Sequence, residues 1–263
     1  MNYKFDHLIA NDIDELCDLF RETYPDNIKL TREYLKWLYF DNPIGAAIGF
    51  NARFEGKLIA HYAVVPYMFN QNVPAALSVN TATHPSHGGR GLFTKLAQRT
   101  YKQAFNYNIE FISGVANQNS INVFENKLNF QHLGRVKLSL MTRYHFCDTL
   151  LKDLMYGGDL AWRLLNPSKK YYCAINGNNS LIFTKQRGFY VLVGASSQME
   201  TLECLENISC PTFFFMPHFG FSSAKLGIEI PLKFMPSPWH VIILDKSKNF
   251  NPLVLNGLSL DTF

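Results

Sequence analysis

Asn80-Thr81-Ala82-Thr83-His84-Pro85-Ser86-His87-Gly88-Gly89-Arg90-Gly91-Leu92-Phe93 is the stretch on which the reading of this chain turns. It closes a strand-like run, Val73 to Thr83, in a turn rich in glycine, and a helical pattern begins directly behind it. Leu92, Phe93, Leu96, Ala97, Thr100, Tyr101, Ala104 and Phe105 keep helical spacing on one face. A strand, a glycine turn and a helix start make a ready anion site. The first N–H groups of a helix lack internal partners, and its dipole places partial positive charge there. Glycines also let a phosphate approach the backbone closely. Gly88, Gly89 and Gly91 suit that role, and they equally suit a plain turn whose dihedrals need glycine; spacing alone leaves both readings open. The pattern lacks the last glycine and the acidic ribose partner of a dinucleotide fingerprint, and it lacks the Gly-Lys-Ser/Thr of a P-loop.

Upstream, Tyr3 to Ile9 reads as a strand and Asp12-x-x-Glu15 as a capping box, opening a helix with Ile13, Leu16, Leu19 and Phe20 on one face. Thr31 opens a second helix, which Asn42-Pro43 ends. Ala46–Phe54 and Lys57–Val65 form a hairpin across Glu55-Gly56, and another tight turn falls at Asn70-Gln71-Asn72. Downstream, Ile109–Ala116 is a buried type of strand, and Asn117-Gln118-Asn119-Ser120 caps a short helix carrying Val123, Phe124 and Leu128. Gln131–Tyr144 alternates as one half-buried strand. Past Cys147 come short strands at Tyr171–Asn176, Ser180–Lys185, Phe189–Gly194, Pro211–Met216 and Trp239–Asp245, with a helix expected over Ser196–Asn207. Trp37…Asn42-Pro43 is echoed by Trp162…Asn166-Pro167, each ahead of a hairpin. A chain of 263 residues suits one large domain or two small ones, and the change of texture predicts domains over 1–147 and 148–263.

Hydrophobic residues make up 47% and charged residues 17%, which excludes a disordered chain. The formal charge of +4 is mild and no Lys/Arg run concentrates it, so nucleic acid is not an expected partner. Asp6, Asp12, Asp14, Glu15 and Asp18 near the start are the reverse of a signal peptide. The longest apolar run, Leu58–Phe69, is interrupted by His61 and Pro66 and falls short of the ~20 residues a bilayer span needs. Cys17, Cys147, Cys173, Cys204 and Cys210 are odd in number and lack C-x-x-C spacing. They read as buried or half-buried thiols of a cytoplasmic protein rather than a disulfide framework or metal ligands.

Asn80 to Phe93 resembles the acetyl-CoA signature of the GNAT N-acetyltransferases, closest to a branch whose pattern reads roughly GDTMTHPDYRGKGIF. Gly114-Val115-Ala116-Asn117-Gln118-Asn119-Ser120, followed by Lys127-Leu128-Asn129-Phe130, resembles that branch's GFPNxNS…KLGW segment, in the right order and at the right spacing. The resemblance covers about Tyr3 to Tyr144; beyond Cys147 it is loose, resting on the Asn-Pro echo and a terminal Leu260-Asp261-Thr262-Phe263. It implies an α/β (α+β) GNAT fold: a mixed, mostly antiparallel sheet, flanked by helices, whose fourth and fifth strands splay apart. The echo suggests that the C-terminal α/β half is a degenerate GNAT-like domain without a glycine turn of its own.

The resemblance further implies acetyl-CoA as co-substrate and direct transfer to an amine within one ternary complex. Backbone groups of Thr81, Ala82 and Thr83 would pair with pantetheine and help polarise the thioester carbonyl. Amides of Gly88, Gly89, Arg90, Gly91, Leu92 and Phe93 would hold the pyrophosphate, and Asn117, Asn119 and Ser120 would border the CoA arm. Gly88 stands where the general motif has Arg or Gln, and Asn80 where the branch usually has Asp. A carboxylate base would fall near Leu77 and a tyrosine acid at Glu125, so neither group is in its usual place. Proximity and orientation carry much of such a rate without a strong base. His84, Asn80 and His61 are the remaining catalytic candidates. The two histidines read alternatively as structural, and Asn80 orients a substrate or water but cannot act as a base. Relatives of the branch resemble enzymes that acetylate amino sugars, often nucleotide-linked, for surface polysaccharides. A small-molecule amine is therefore the expected acceptor. A protein amine or an antibiotic is the rival within the enzyme class, and a catalytically inert acyl-CoA-binding or partner-binding protein is the rival outside it.

Overall fold

A computed structural model describes residues 2–69, 73–146, 148–155, 159–198, 202–221, 227–231 and 240–245. The turn expected at 70–72, Cys147, Trp239 and the terminal 260–263 lie outside the described residues. The chain divides into two compact units. The first takes Met1–His132 with Asn166–Ser168 and Ile242–Lys248, and the second takes Leu133–Leu165, Lys169–Val241 and Asn249–Phe263. The division falls before position 147, inside the stretch expected to form one strand.

In chain order the first unit holds β1 (Lys4–His7), α1 (Ile13–Thr23), α2 (Arg32–Tyr39), β2 (Ile48–Phe54), β3 (Lys57–Phe69), β4 (Val73–Thr83), α3 (Leu92–Asn106), β5 (Phe111–Ala116) and α4 (Ile121–Leu128). β2, β3 and β4 form an antiparallel meander, and β1 adds antiparallel to β2. The β2–β3 turn works because Glu55 and Gly56 both take positive φ, 51° and 83°, which matches the twist of the flanking strands. β4 and β5 are parallel, so the chain must cross over between them, and α3 is that crossover. Leu92, Leu96, Ala97, Tyr101 and Ala104 of α3 are buried in one core with Phe50, Tyr62 and Ile112 of the strands. A late strand, β14 (His240–Asp245), returns to this sheet, and its Ile242 enters the same core. One glycine here is forced by packing. A Cβ on Gly49 would meet Tyr62 O at 2.8 Å and Ala63 Cβ at 2.9 Å. Gly49→Ala should cost about 2 kcal/mol, the scale of core overpacking, read as a lower urea midpoint at unchanged m. An unchanged midpoint would show that β2 can shift freely against β3.

The strand expected over Gln131–Tyr144 is two strands, β6 (Gln131–Arg135) and β7 (Lys137–Thr142), which belong to different sheets. Gly134 adopts φ of 146° at the end of β6, and the buried Val136 separates the two. After β7 come α5 (Asp148–Leu154), α6 (Leu160–Leu164), β8 (Tyr171–Asn176), β9 (Asn179–Gln186), β10 (Phe189–Ser196), β11 (Glu206–Asn207), β12 (Phe213–His218) and β13 (Ile228–Glu229). The first sheet runs β1-β2-β3-β4-β5-β14-β6 and the second β11-β8-β9-β10-β12-β7-β13. Of the helix expected over Ser196–Asn207, positions 199–201 lie outside the described residues and Leu202 is helical, but neither end of the stretch belongs to a helix. Ser196 completes β10, and Glu206 and Asn207 pair in parallel with Tyr172 and Cys173 of β8, an edge that a helix would leave unpaired. Among the described cysteines Cys204 is exposed, contrary to expectation, while Cys173 is buried and Cys17 and Cys210 are intermediate.

The second sheet repeats the order of the first. β8, β9 and β10 form an antiparallel meander, and β10 then pairs in parallel with β12, as β4 does with β5. The Asn-Pro echo is a repeated local geometry as well. Asn42 Oδ1 accepts the N–H of Ile44 at 3.0 Å, and Asn166 Oδ1 accepts the N–H of Ser168 at 2.9 Å. Both asparagines are buried after a helix that carries a buried tryptophan, Trp37 or Trp162. The crossovers differ in chemistry: residues 197–212 contain no glycine, lysine or arginine but hold Glu200, Glu203 and Glu206.

Candidate active site

β4 and β5 pair from Ala75 opposite Phe111 to Ser78 opposite Gly114, and the register stops there. Both strands continue, β4 to Thr83 and β5 to Ala116. β4 carries an extra residue just past this point: Val79 lies opposite Ala63 and Ala82 opposite His61, so Asn80 and Thr81 share the span of Tyr62. Asn80 takes φ of 45°, a left-handed conformation that asparagine tolerates better than most residues. A bulge bends its strand and increases its twist. Here it turns the end of β4 off β5 and produces the expected splay. The predicted catalytic candidate Asn80 is thus the bulge residue itself, a role that strand periodicity does not reveal.

Thr81, Ala82 and Thr83 part company at this gap. The N–H of His84 donates to Ile59 O at 2.8 Å. Alternation along an antiparallel pair then turns the backbone groups of Ala82 toward β3 and those of Thr83 to the open side. Ala82 is buried, so its expected backbone contact with pantetheine is not available. The carbonyl of Thr81 accepts the hydroxyl of Tyr24, a residue that the sequence reading missed.

The glycine turn follows. Pro85–His87 form one 3-10 turn capped by His84, whose Nδ1 accepts the N–H of Ser86 at 3.2 Å. His84 Nε2 lies 2.9 Å from Glu22 Oε2, so both ring nitrogens are engaged in holding the turn. Gly89 and Gly91 have φ of 72° and 70°, and Gly91 is the N-cap of α3. A Cβ at either position would meet nothing within 4 Å. No side chain caps this helix and no acidic residue occupies its first turn, so its amides face open space. Arg90 is drawn back onto Tyr3 Oη at 2.8 Å and Ser86 O at 3.2 Å, which leaves its backbone amide as its contribution at the turn. At the end of β5, Asn117 Oδ1 accepts the N–H groups of Asn119 and Ser120 at 3.0 and 3.1 Å. The Gly88–Phe93 turn and the Asn117–Ser120 turn therefore stand at the C-terminal ends of the parallel pair, where open α/β sheets hold ligands.

His61 lies elsewhere. It is 0% exposed, and burial holds its imidazole well below the ordinary value, at about 3. Its Nδ1 is 2.7 Å from Asn51 Oδ1 and its Nε2 is 3.0 Å from Tyr39 Oη. Asn51 Nδ2 donates to Asp12 Oδ2 at 2.8 Å, and Asp12 Oδ1 accepts from Arg53 at 2.7 Å. Asp12 therefore serves this network, and its side chain does not cap α1 as the capping-box reading expected. His61 is an interior residue, so direct contact with a substrate is excluded for it. Leu77 is buried, and Glu125 sits 3.5 Å from His132 Nδ1. A separate cleft of about 480 Å³ opens between α1 and α2, lined by Asp14, Asp18, Arg21, Tyr24 and Arg32. Its charges are paired, Arg21 with Asp18 and Arg32 with Asp14. Tyr24 connects the cleft to the bulge through Thr81. No hydrophobic pattern flags Tyr24, Tyr39 or Asn51; a polar residue inside the apolar run of β2 was the only available signal.

A glycine-opened helix start beside a parallel pair that parts toward its C-terminal ends defines the class of protein: an α/β domain with the kind of strand-end site that suits a phosphorylated ligand. Residues 4–124 match the family model described as acetyltransferase (GNAT) domain. The chain has a GNAT-like α+β fold with two mostly antiparallel sheets flanked by helices. Two solved structures share the fold over 93% of this chain, each at 10% identity. One is a Pyrococcus horikoshii protein provisionally described as an acetyltransferase, covered over 89% of its length with a TM-score of 0.55. The other is a conserved protein of unknown function from Enterococcus faecalis V583, covered over 73% with a TM-score of 0.59. No match was found among the curated proteins. Among the described residues no helix is long and apolar enough to cross a membrane.

Proposed function

We propose that the chain is an acetyl-CoA-dependent N-acetyltransferase that transfers the acetyl group directly to a small-molecule amine, with amino sugars as the first acceptors to test. The observation that carries this reading is the open start of α3, where Gly89 and Gly91 leave room for a phosphate at a helix start that no side chain caps. The amides from Gly89 to Phe93 would hold the pyrophosphate, that of Gly88 being already donated to Pro85 O at 3.2 Å, and the backbone of Thr83 and the turn of Asn117, Asn119 and Ser120 would border the pantetheine arm. The acceptor amine attacks the thioester carbonyl in its neutral form; the N–C bond forms, the C–S bond breaks, and CoA leaves as a thiolate, with water taking the amine proton and protonating the thiolate, since the positions of Leu77 and Glu125 supply neither base nor acid. Orientation of the two substrates then supplies much of the rate. His84 holds the turn. The crossover at 197–212 has no glycine and no cation, so one acetyl-CoA is expected per chain.

Calorimetry and turnover test this together. Acetyl-CoA should bind at one equivalent per chain, and acetyl-CoA should be consumed faster with amino sugars than with peptide amines or aminoglycosides. Binding at two equivalents would overturn the single site. Binding without consumption on any amine would favour the inert acyl-CoA binder, the reading that the apolar Leu77 and the His132-bound Glu125 support.

A further inference from the structure

We infer that the second unit carries the same parted strand pair as the first and that the chain itself closes it, with the backbone of Met155 lying along β10 where an extended ligand would pair. The ligand in question, acetyl-CoA, rests on the acetyltransferase reading, while the closure rests on strand register alone.

The two pairs part in the same way. β4 and β5 stay in register as far as Ser78 opposite Gly114, and Asn80 stands in the bulge that follows. Among the described residues β10 and β12 pair at Val191 opposite Phe215 and at no later position. The register of β10 on β9 then shifts between Leu192, opposite Phe183, and Gly194, opposite Ile182, so Val193 is an extra residue. Val193 comes two positions after the last rung, as Asn80 comes two after Ser78. Both strands of the second pair run on, β10 to Ser196 and β12 to His218. A bulge bends its strand, and here it again turns a strand off its parallel neighbour.

The edge of β10 beyond the bulge is what differs. Ala195 forms a parallel bridge with Met155. Its partner on the other side is Leu181 of β9. A strand has two edges, so Met155 lies on the edge away from β9, the one that holds β12 at Val191. α5 puts it there. Leu150 and Leu154 of that helix are buried in one core with Leu192, Ala195, Phe214 and Met216 of the parted strands. The N–H of Met155 donates to Leu151 O at 2.9 Å, so the bridge starts from the last turn of the helix. Among the described residues no isolated bridge reaches the end of β4. An extended ligand holds a free strand edge by main-chain hydrogen bonds, and the edge of β10 has already given its own. The chain thus covers in the second unit the gap that it leaves open in the first.

Hydrogen exchange on the full chain tests the closure. β9 can satisfy only alternate amides of β10, so an open gap would leave one of Gly194, Ala195 and Ser196 unprotected. Without ligand all three should exchange at least about 100-fold more slowly than an unstructured chain. A fast amide among them would mean an open gap and would overturn the inference. Saturating acetyl-CoA should slow exchange at the start of α3 and leave these three unchanged. Slowing at Ala195 would place ligand in the gap and overturn it as well. An α3 start that does not respond would count against the acetyltransferase reading, and the rates without ligand would still decide the closure. Met155→Pro removes the bond to Leu151 and disfavours the helical conformation of Leu154. It should speed exchange at Ala195 about tenfold or more, with the α3 start unchanged. Wild-type rates in the folded variant would show that Met155 is not what covers β10.

Discussion

Replacing Gly91 by glutamate should weaken acetyl-CoA binding about 100-fold or more while the protein stays folded. Gly91 is the N-cap of α3 with φ of 70°, and a side chain there would project into space that no atom within 4 Å occupies. The new carboxylate would fill the cradle and place negative charge where the helix start favours an anion. The left-handed backbone adds a strain of about 1–2 kcal/mol for any L side chain, so Gly91→Ala is the matched control. It carries the strain without the charge and should lose less than about tenfold. Calorimetric titration of both variants, with circular dichroism to confirm folding, checks the result. Wild-type affinity in a folded Gly91→Glu protein would move the pyrophosphate away from this turn.

Acidification should destabilise the first unit more steeply than its carboxylates alone would cause, and His61 should account for the excess. Burial holds the folded imidazole at about 3, while an exposed histidine protonates near 6.5. Between those values the unfolded chain binds a proton that the folded chain refuses. The stabilisation is therefore fully present above about pH 6.5 and drains as pH falls through the window toward 3. The slope is about 1.4 kcal/mol per pH unit, and the whole shift amounts to roughly 5 kcal/mol. His218 repeats the arrangement in the second unit: burial lowers it to about 4, and its Nε2 lies 3.0 Å from Ser139 Oγ. Urea midpoints measured from pH 7.5 to 4.5 on wild type and His61→Gln should converge as pH falls, because the variant lacks the group that must stay neutral. Parallel curves would mean that His61 titrates normally and that its site is wet.

The glycine turn, the helix behind it and the meander ahead of it were legible because their signals are local. Gly89 and Gly91 sit in the left-handed conformations that only glycine adopts freely, Glu55-Gly56 turns a hairpin, and α3 buries the stripe that its spacing predicts. The Asn-Pro echo was visible too, and the repeated order of the two sheets gives it a physical basis. Strand partnership was not legible. Gln131 to Tyr144 alternates without interruption in sequence, and only the competing demands of two sheets divide it at Val136. Glu206 and Asn207 had helical neighbours in the pattern, and an open edge of β8 took them instead.

The site divides along the same line. The amino-acid sequence by itself determined the chemistry of the α3 start: uncapped amides, glycines with no side chain in the way and no acid in the first turn. These are properties of neighbouring residues and need no partner from afar. Only the tertiary structure decided what surrounds Asn80. Its bulge exists because β3 and β4 pair with one residue out of step, and the buried series of Tyr39 from α2, His61 from β3, Asn51 from β2 and Asp12 just before α1 is likewise assembled from separate elements. Those residues are brought together by burial of apolar surface. The series is anchored by the acceptor-only carboxylate of Asp12, which lies 49 positions before His61 in the chain.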